Sequence, residues 1–342
     1  MSSNTATIED QRQKTSFKFT EAILPGVDIQ MELKNIMIST KSEYQEVDVI
    51  ETTFGKMLVT DGKTQSAQMD EYVYHEALVH APLIKAALDS NGNGPKSVFI
   101  GGGGELATAR EVLRHKCVER VVMVDLDAKV VEVCKKYLPE WGGEEVANNE
   151  RMELIIGDAY AYLNNCTEKF DAIIMDISDP IEAGPGIMLY TQEFYSHAKS
   201  LLNENGVFVT QGGMADGISK PNNIEPGSDE DFQAYAAITN TLDTVFDCVV
   251  PYAVNIPSFG SDWGFVMAFN TNADDKKKDV QAFTNIDETK IDAMVEKNIG
   301  VDVLKYYDGL SHRRMCTLTK PLRESMKKDT RIMTKDNPVF MY

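Results

Sequence analysis

The sequence predicts an α/β protein in which a small antiparallel β domain precedes a doubly wound sheet. Three features predict this class. Short apolar stretches alternate with helical ones between residues 97 and 245, which is typical of βαβ units and a parallel sheet. Continuous apolar runs such as residues 121–124 fit strands that are buried on both faces. A β-prone segment, residues 17–67, lies ahead of them.

The N-terminal part of the chain predicts a polar tail and a small β domain. Residues 1–15 are polar and are expected to be disordered. Residues 16–69 form the predicted β domain, with turn signals at 53–55 and at Asp61-Gly62. Its clearest strand candidates are residues 44–50, 56–60 and 64–69.

Residues 70–342 are predicted to form the doubly wound α/β domain with a C-terminal extension. A helix at 72–88 opens it, and residues 89–96 form a loop. Strands are then predicted at 97–100, 120–124, 152–156, 172–175, 206–210, 248–254 and 264–269. Helices are predicted between them at 107–114, 129–137, 159–164, 191–202 and 230–245. The tail from residue 274 is charged and helical in places, and carries no motif that we can assign.

Charge and cysteine content limit the classes of partner. The chain has 34 Lys and Arg against 53 Asp and Glu, a net charge of −19. Such a protein should repel nucleic acid and anionic membranes, although solubility alone also explains the excess. The five cysteines contain no CxxC pair and the histidines show no ligand spacing, so we expect reduced thiols, no metal site and a cytoplasmic location. No stretch is long and apolar enough for a membrane span, and residues 1–15 do not resemble a secretory signal.

A glycine-rich turn follows the first predicted strand of the large sheet. Gly102, Gly104 and Ala107 satisfy the pattern G-x-G-x-x-[GA] between a strand and a helix, which permits a tight turn and close approach to a ligand. A turn without any ligand is the alternative. Glu105 within the turn would repel a phosphate group but would suit a cation.

Acidic residues follow the next strands as well. Asp125 lies about 20 residues beyond the glycines, where an acid can bind ribose hydroxyls. Asp158 could accept a hydrogen bond from an adenine amino group or could cap a helix. Asp176 and Asp179 precede a proline and the glycine-containing run 182–186, and the alternative there is an Asx turn. Gln211 ends the fifth strand.

Together these strand ends carry five carboxylates and no basic residue. Because ligands of open α/β sheets bind outside the carboxyl ends of the strands, we expect the carboxylates to share one site. They indicate a nucleoside ligand without phosphates and a polycationic co-substrate.

The chain resembles the polyamine aminopropyltransferases, the spermidine and spermine synthase family, over about residues 17–270. The resemblance is carried by short motifs in the same order, at residues 42–45, 58–65, 70–80, 100–111, 121–127, 176–180, 189–195, 209–213, 256–260 and 263–264. The run 182–185 and the segment 257–264 look closest to the thermospermine synthase subfamily, as does the tail. Leu106 departs from the family, which usually has Gly there.

The resemblance implies a Rossmann-like, methyltransferase-like fold and a transfer of an aminopropyl group from decarboxylated S-adenosylmethionine to a polyamine. It needs no cofactor, because the nucleoside donor is a co-substrate. It implies that Asp176 is the base, with Tyr74 as a relay. The donor-site residues would be Gln45, Gln65, Gly102, Gly104, Glu105, Asp125, Asp158 and Ala159. The acceptor-site residues would be His75, Asp179, Gln211, Phe259 and Trp263.

The sequence leaves open which polyamine is the acceptor and which alternative functions remain. We expect spermidine as acceptor and thermospermine as product, with spermine or spermidine synthesis as the alternative, and Glu182 as a candidate for the distal acid that reads the acceptor. A methyltransferase, an NAD-dependent dehydrogenase and a non-catalytic polyamine-binding homologue fit the motifs less well. The β domain is the expected contact surface of a homodimer or homotetramer.

Overall fold

The computed structural model describes residues 17–24, 26–181, 184, 186–217, 224–228, 231, 233–271 and 276–341. The segment 1–15, for which disorder is predicted, and Glu182 lie outside the described residues.

The N-terminal domain contains two small antiparallel sheets where the sequence predicted one module. A hairpin of β1 (Lys18–Leu24) and β2 (Val27–Glu32) forms the first sheet. The second sheet has four strands in sequential order: β3 (Asn35–Lys41), β4 (Glu46–Thr52), β5 (Gly55–Thr60) and β6 (Lys63–Ala67). Its two tight turns lie at the predicted positions. In these turns Gly55 and Gly62 adopt φ values of +81° and +75°, which glycine tolerates.

Helix α1 (Glu71–Asp89) links the two parts of the chain and is buried along most of its length. Its N-cap residue, Asp70, accepts hydrogen bonds from the backbone N–H and the hydroxyl of Ser258, both at 2.8 Å. These bonds fix the start of α1 against the turn at Pro257–Phe259, so the residues that follow Asp70 are held at the edge of the central sheet.

The central sheet is mixed, whereas the alternation of strands and helices predicted a parallel one. Its order is β12-β13-β11-β10-β7-β8-β9. The strands are β7 (Ser97–Gly102), β8 (Arg120–Asp125), β9 (Met152–Ile156), β10 (Phe170–Asp176), β11 (Leu202–Met214), β12 (Cys248–Ile256) and β13 (Ser261–Phe269). Strand β13 runs antiparallel to both β11 and β12. Only a short turn joins β12 to β13, and a parallel pair would need a crossover of a dozen or more residues.

Both faces of this sheet are covered. Along β7, Val98 and Ile100 pack into the core that contains α1, and Phe99 packs into the core on the opposite face. The covering helices are α2 (Ala107–Arg114), α3 (Ala128–Tyr137), α4 (Gly143–Ala147), α5 (Ala159–Asn165), α6 (Gln192–Ser200) and α7 (Tyr235–Asp243). Their sequence periodicity predicted five of the six, with α7 beginning five residues later than expected.

The C-terminal extension adds four helices and then an irregular tail. The helices are α8 (Lys276–Thr284), α9 (Glu288–Asn298), α10 (Gly309–Cys316) and α11 (Lys320–Lys328). The tail, residues 329–341, buries Met333, Val339 and Met341 against the core. Among the helices of the described ranges, none is long and apolar enough to cross a bilayer. All five cysteines are free thiols.

Candidate active site

The glycine turn between β7 and α2 brings three strand ends together. Gly102 and Gly103 adopt φ values of +82° and +77°. A Cβ on Gly102 would lie 2.0 Å from the carbonyl oxygen of Asp176, and one on Gly104 would lie 2.8 Å from Oδ2 of Asp125. The glycines are therefore needed because the ends of β8 and β10 lie against this turn, as well as for any approach of a ligand.

Leu106 ends the same turn in a left-handed conformation. Its φ is +75° and its side chain is fully buried. That conformation costs a residue with a Cβ about 1–2 kcal/mol, which explains why a glycine is usual at this position. The packing around Leu106 is close, because a Cβ on Gly142 would lie 2.9 Å from the Cβ of Leu106.

Asp176, at the end of β10, accepts two hydrogen bonds from hydroxyl groups. The Tyr74 hydroxyl donates to Oδ1 at 2.7 Å, and the Thr108 hydroxyl donates to Oδ2 at 2.5 Å. The backbone carbonyl of Asp176 also accepts from the N–H of Gly103 at 3.0 Å. The predicted base and its predicted relay are therefore in direct contact, and the carboxylate is oriented from both sides.

Tyr74 is surrounded by aromatic rings and negative charge. Burial, and then the neighbouring Asp176, raise the pKa of its phenol well above 10, so the hydroxyl remains a hydrogen-bond donor at neutral pH. Its ring meets Phe259 edge-on at 6.1 Å between centroids, and Phe259 meets Trp263 at 4.7 Å. Tyr74, Phe259 and Trp263 thus form one aromatic wall beside Asp176.

His75 is fully buried and lies between two carboxylates. Its Nε2 is 2.5 Å from Oε1 of Glu105, and its Nδ1 is 2.9 Å from Oε2 of Glu71. Burial alone would lower the pKa of His75, but Glu105 and Glu71 outweigh it and raise that pKa to about 10. The imidazolium therefore orients Glu105, whose other oxygen accepts from the Ser66 hydroxyl at 2.9 Å.

Asp125 lies at the end of β8 and is held by its own loop. Its Oδ1 accepts from the backbone N–H of Asp127 at 2.8 Å. Burial raises its pKa to about 6, although hydrogen bonds from the Asp127 and Gly104 N–H groups oppose the rise. The Asp127 carboxylate in turn accepts from Gln45 Nε2 at 2.9 Å and from the Ser42 hydroxyl at 2.7 Å. The loop between β3 and β4 therefore reaches the part of the site that contains Asp125.

Asp179 and Gln211 form a hydrogen-bonded pair near the ends of β10 and β11. The Gln211 amide donates to Oδ1 of Asp179 at 3.0 Å and to the carbonyl of Ile177 at 2.9 Å. Burial raises the pKa of Asp179 to about 6, and the Gln211 hydrogen bond and the positive charge of Lys63 partly offset this. Lys63 belongs to β6 of the N-terminal domain. The strand ends of the central sheet carry no basic residue, but this lysine from the other domain lowers the pKa of Asp179.

The remaining predicted residues lie further out. Asp158 is exposed and caps α5, with the Tyr160 N–H donating to it at 2.8 Å; the helix-cap interpretation is thus realised, and the adenine contact of Asp158 and Ala159 stays a prediction. Gln65 is half-buried and donates to the carbonyl of Lys63 at 3.2 Å. Sequence reasoning missed Thr108, Ser66, Glu71 and Asp127. Of these, Thr108, Glu71 and Asp127 lie within the quoted motifs, whereas the contact of Ser66 depends on how the domains pack.

The arrangement is a strand-end site of a methyltransferase-like α/β protein, and it contains the carboxylates of Glu105, Asp125, Asp176 and Asp179. Comparison with known families agrees with this class. Residues 71–279 match the spermine/spermidine synthase domain, and residues 18–68 match the spermidine synthase tetramerisation domain. The chain belongs to the spermine/spermidine synthase family and is an aminopropyltransferase.

Individual relatives agree with that membership. The chain is 39% identical to polyamine aminopropyltransferase 2 of Hyperthermus butylicus, covering 92% of this chain and 94% of the relative. It is 36% identical to the thermospermine synthase ACAULIS5 of Arabidopsis thaliana, covering 99% of this chain and 91% of the relative. The predicted family is therefore confirmed.

Solved structures confirm the predicted fold. A spermidine synthase in complex with the transition-state analogue AdoDATO superposes with a TM-score of 0.74 at 26% identity, covering 92% of this chain and 96% of that chain. The spermidine synthase of Thermotoga maritima gives 0.73 at 25% identity, covering 94% of this chain and 99% of that chain.

Proposed function

We propose that this chain transfers an aminopropyl group from decarboxylated S-adenosylmethionine to spermidine, giving thermospermine and methylthioadenosine. One observation carries the proposal above the others. Asp176 accepts hydrogen bonds from both Tyr74 and Thr108 and lies between the donor-side acids and Asp179. A base in that position can meet an amine that enters from the acceptor side.

The proposed step is a direct displacement at carbon. The lone pair of the attacking amine forms a bond to the methylene carbon attached to the sulfonium. The carbon–sulfur bond breaks and its electron pair goes to sulfur, which leaves as the thioether methylthioadenosine. The attacking nitrogen loses one proton to Asp176, directly or through the Tyr74 hydroxyl. Because the sulfonium is already a good leaving group, catalysis consists of positioning an unprotonated amine in line. No cofactor takes part.

The carboxylates divide between the two proposed ligands. Asp125 would accept the ribose hydroxyls of the donor, and Glu105 would hold the aminopropyl ammonium, together with Gln45, Gln65 and the glycine turn. Asp179 and Gln211 would hold an ammonium of the polyamine, and the aromatic wall would pack against its methylene groups. His75 would act through Glu105, because its ring is fully buried and both ring nitrogens are already bonded.

Glu105 is the feature that separates this proposal from a dinucleotide-dependent dehydrogenase. It follows the glycines at the position where a dinucleotide would place its pyrophosphate. Its carboxylate would repel that group, whereas it attracts an ammonium. A methyltransferase would not need the pair formed by Asp179 and Gln211.

The choice of thermospermine as product rests on similarity to the thermospermine synthase of Arabidopsis thaliana over almost the full length of this chain. Attack by the nitrogen on the three-carbon arm of spermidine gives thermospermine, and attack by the nitrogen on the four-carbon arm gives spermine. A misplaced ammonium would lose a charge-assisted hydrogen bond worth roughly 1.5–3 kcal/mol, which corresponds to about tenfold to a hundredfold selectivity.

Product analysis tests the proposal. The enzyme is incubated with decarboxylated S-adenosylmethionine and, separately, with putrescine, spermidine and spermine. We expect methylthioadenosine with spermidine, a product that co-elutes with thermospermine, and little reaction with putrescine. Co-elution with spermine, or turnover of putrescine alone, would replace thermospermine synthesis by the corresponding alternative. Absence of methylthioadenosine with every acceptor would refute aminopropyl transfer. That result would favour the alternative of a non-catalytic polyamine-binding homologue.

We also propose that the chain assembles as a homodimer or homotetramer through its N-terminal domain. The match of residues 18–68 to a tetramerisation domain supports this, as do the exposed apolar side chains of Phe17, Val27 and Ile36 on that domain. Light scattering during size-exclusion chromatography should give a multiple of the 38.1 kDa chain mass. A monomer at micromolar concentration would contradict the proposal.

A further inference from the structure

The tail, residues 329–341, returns from the end of α11 to the edge of the sheet that carries the site. It lies beyond the segment that matches the synthase domain, which ends at residue 279. Met333 and Met341 are 0% and 1% exposed. Because both of these side chains are buried, the tail is packed against the core at its middle and at its end. Its contacts reach the acceptor side of the site.

Arg331 makes the first attachment. Its guanidinium donates to the carbonyl of Asp231 at 2.6 Å and to the carbonyl of Gln233 at 2.7 Å, and it pairs with the carboxylate of Asp329 at 2.7 Å. The Gln233 side chain donates onward to the carbonyl of Asp216 at 3.0 Å. The tail is therefore joined to the chain that leaves β11, two residues beyond the end of that strand.

Met333 makes the second attachment, away from the site. Its carbonyl accepts from the N–H of Gln192 at 2.8 Å, and its N–H donates to the Thr241 hydroxyl at 2.8 Å. Gln192 begins α6 and Thr241 belongs to α7. This contact fixes the middle of the tail between two helices and touches none of the proposed acceptor residues.

Met341 makes the third attachment, at the site itself. Its N–H donates to the carbonyl of Pro180, next to Asp179, at 2.7 Å. Its thioether covers Gly213: a Cβ on that glycine would lie 2.7 Å from the Met341 sulfur and 3.4 Å from Oδ1 of Asp179. Gly213 also donates its N–H to the amide oxygen of Gln211 at 2.7 Å, and Gln211 donates to Asp179.

We propose that Met341 is a positioning residue for the acceptor site, which holds the loop of Asp179 through Pro180 and the amide of Gln211 through Gly213. The inference rests on the acceptor-binding role proposed above for Asp179 and Gln211. Met341 acts through them and does not touch substrate, since its side chain is buried beneath Gly213. The tail is thus a part of the acceptor site, and Met341 lies 78 residues beyond Trp263, the last of its other members in the sequence.

Two methionines of the same tail provide a matched pair of variants. Met341→Ala and Met333→Ala remove the same side chain from equally buried positions, and only Met341 contacts Gly213. Initial rates of methylthioadenosine release are measured against spermidine and, separately, against the donor, together with the melting temperature. Because loss of the thioether frees Gly213 and Gln211, we expect Met341→Ala to raise the KM for spermidine about fivefold or more. The donor KM should stay within about twofold.

The controls separate positioning from stability. Met333→Ala should lower the melting temperature by a similar amount and leave the KM for spermidine unchanged. Met341→Leu, which restores the apolar volume, should restore that KM. Should Met341→Ala fail to fold, Met341→Val shortens the side chain less and carries the same comparison.

An equal KM for spermidine in the two alanine variants would overturn the inference, as would equal increases in the acceptor and donor KM in Met341→Ala. A wild-type enzyme that releases no methylthioadenosine with any polyamine would refute the proposed function and the inference together, and that result is seen before any variant is made.

Discussion

At the scale of single residues, the site is defined by what each carboxylate accepts. Asp176 accepts from Tyr74 and Thr108, so both of its oxygens are oriented in the absence of substrate. Replacing Asp176 by Asn keeps the shape and removes the base. We expect kcat to fall by about 10²–10⁴, the usual contribution of general acid–base catalysis, with donor affinity within a few-fold of the wild type.

Thr108→Val provides the comparison for that variant, because it removes one orienting hydroxyl and leaves the carboxylate. Its rate loss should be smaller than that of Asp176→Asn. Single-turnover rates and titration with methylthioadenosine separate chemistry from binding. Turnover of Asp176→Asn within about tenfold of the wild type would show that another group accepts the proton.

Asp125, the proposed ribose-binding residue, is buried at a cost in stability. Burial raises its pKa from 3.8 to about 6, so the folded protein holds this proton more tightly than the unfolded chain does. The stabilisation therefore exists below about pH 4 and is lost as the pH rises through 6. Asp125→Asn should raise the free energy of unfolding at pH 7 by about 1–3 kcal/mol and weaken donor binding, while spermidine affinity stays unchanged.

Asp158→Asn is the matched control for stability. Asp158 is exposed and caps α5, and Asn caps a helix as well as Asp does, so its free energy of unfolding should not change. Urea denaturation at pH 7 and at pH 4 measures both variants. Equal loss of affinity for donor and acceptor in Asp125→Asn would contradict the ribose assignment.

At the scale of elements, the turn between β7 and α2 combines backbone strain with close packing. Leu106 is buried at a φ of +75°. Leu106→Ala should destabilise the protein by about 2–5 kcal/mol, because it opens a cavity and keeps the strain. Leu106→Gly removes the same packing but relieves the strain, so it should be more stable than Leu106→Ala by about 1 kcal/mol.

This order reverses the preference for Ala over Gly that holds in a helix interior. Thermal or urea unfolding of the two variants, measured in the same buffer, decides it. Leu163, which is also fully buried in an ordinary helical conformation in α5, is the comparison site, and there Ala should be the more stable. A lower stability of Gly than of Ala at position 106 would show that strain is negligible in this turn.

The elements also show how far sequence alone can predict this fold. Periodicity predicted α2 and β9 at their observed bounds. It did not predict that β13 is antiparallel, since the apolar pattern of a strand carries no direction and only the short turn after β12 constrains it. The sequence predicts only a β-prone stretch over the first three strands. Their side chains are mostly exposed or half-buried, so their apolar residues mark no separate strands.

At the scale of the whole molecule, the acidic residues at the strand ends were predictable because parallel strands present their carboxyl ends at one edge. Glu105, Asp125, Asp176 and Asp179 meet there. The contacts of Ser66 and Lys63 were not predictable, since they depend on how the N-terminal domain docks. The contact of Met341 with the site could not be predicted either, because no local sequence pattern shows where in the fold a tail of more than ten residues packs.

The net charge of −19 and the acidic site together predict a pH profile with a steep acid side and an alkaline optimum. Burial raises the pKa of both Asp125 and Asp179 to about 6. The ionised carboxylate accepts a hydrogen bond from ribose, or attracts an ammonium, more strongly than the neutral acid does. Therefore kcat/KM for both substrates should fall as the pH drops below about 6. On the other side, a primary amine has a pKa near 10, and nearby carboxylates stabilise its protonated form. The rate should therefore continue to rise from pH 7 to about pH 9.

Initial rates between pH 5 and pH 10 at constant ionic strength test this profile, with Asp179→Asn as the diagnostic variant. Removing the titrating group at position 179 should remove the added steepness below about pH 6 from kcat/KM for spermidine and leave the slope that comes from deprotonation of the amine. The acid side of kcat/KM for the donor should stay in place, because Asp125 still titrates. Added salt should raise the KM for spermidine, which carries three positive charges at neutral pH, more than that for the donor, which carries one sulfonium and one ammonium, since screening weakens the attraction of the more highly charged ligand most. A profile that is flat up to about pH 9 would show that deprotonation of the attacking amine does not limit the reaction, and would remove the need for Asp176 as a base.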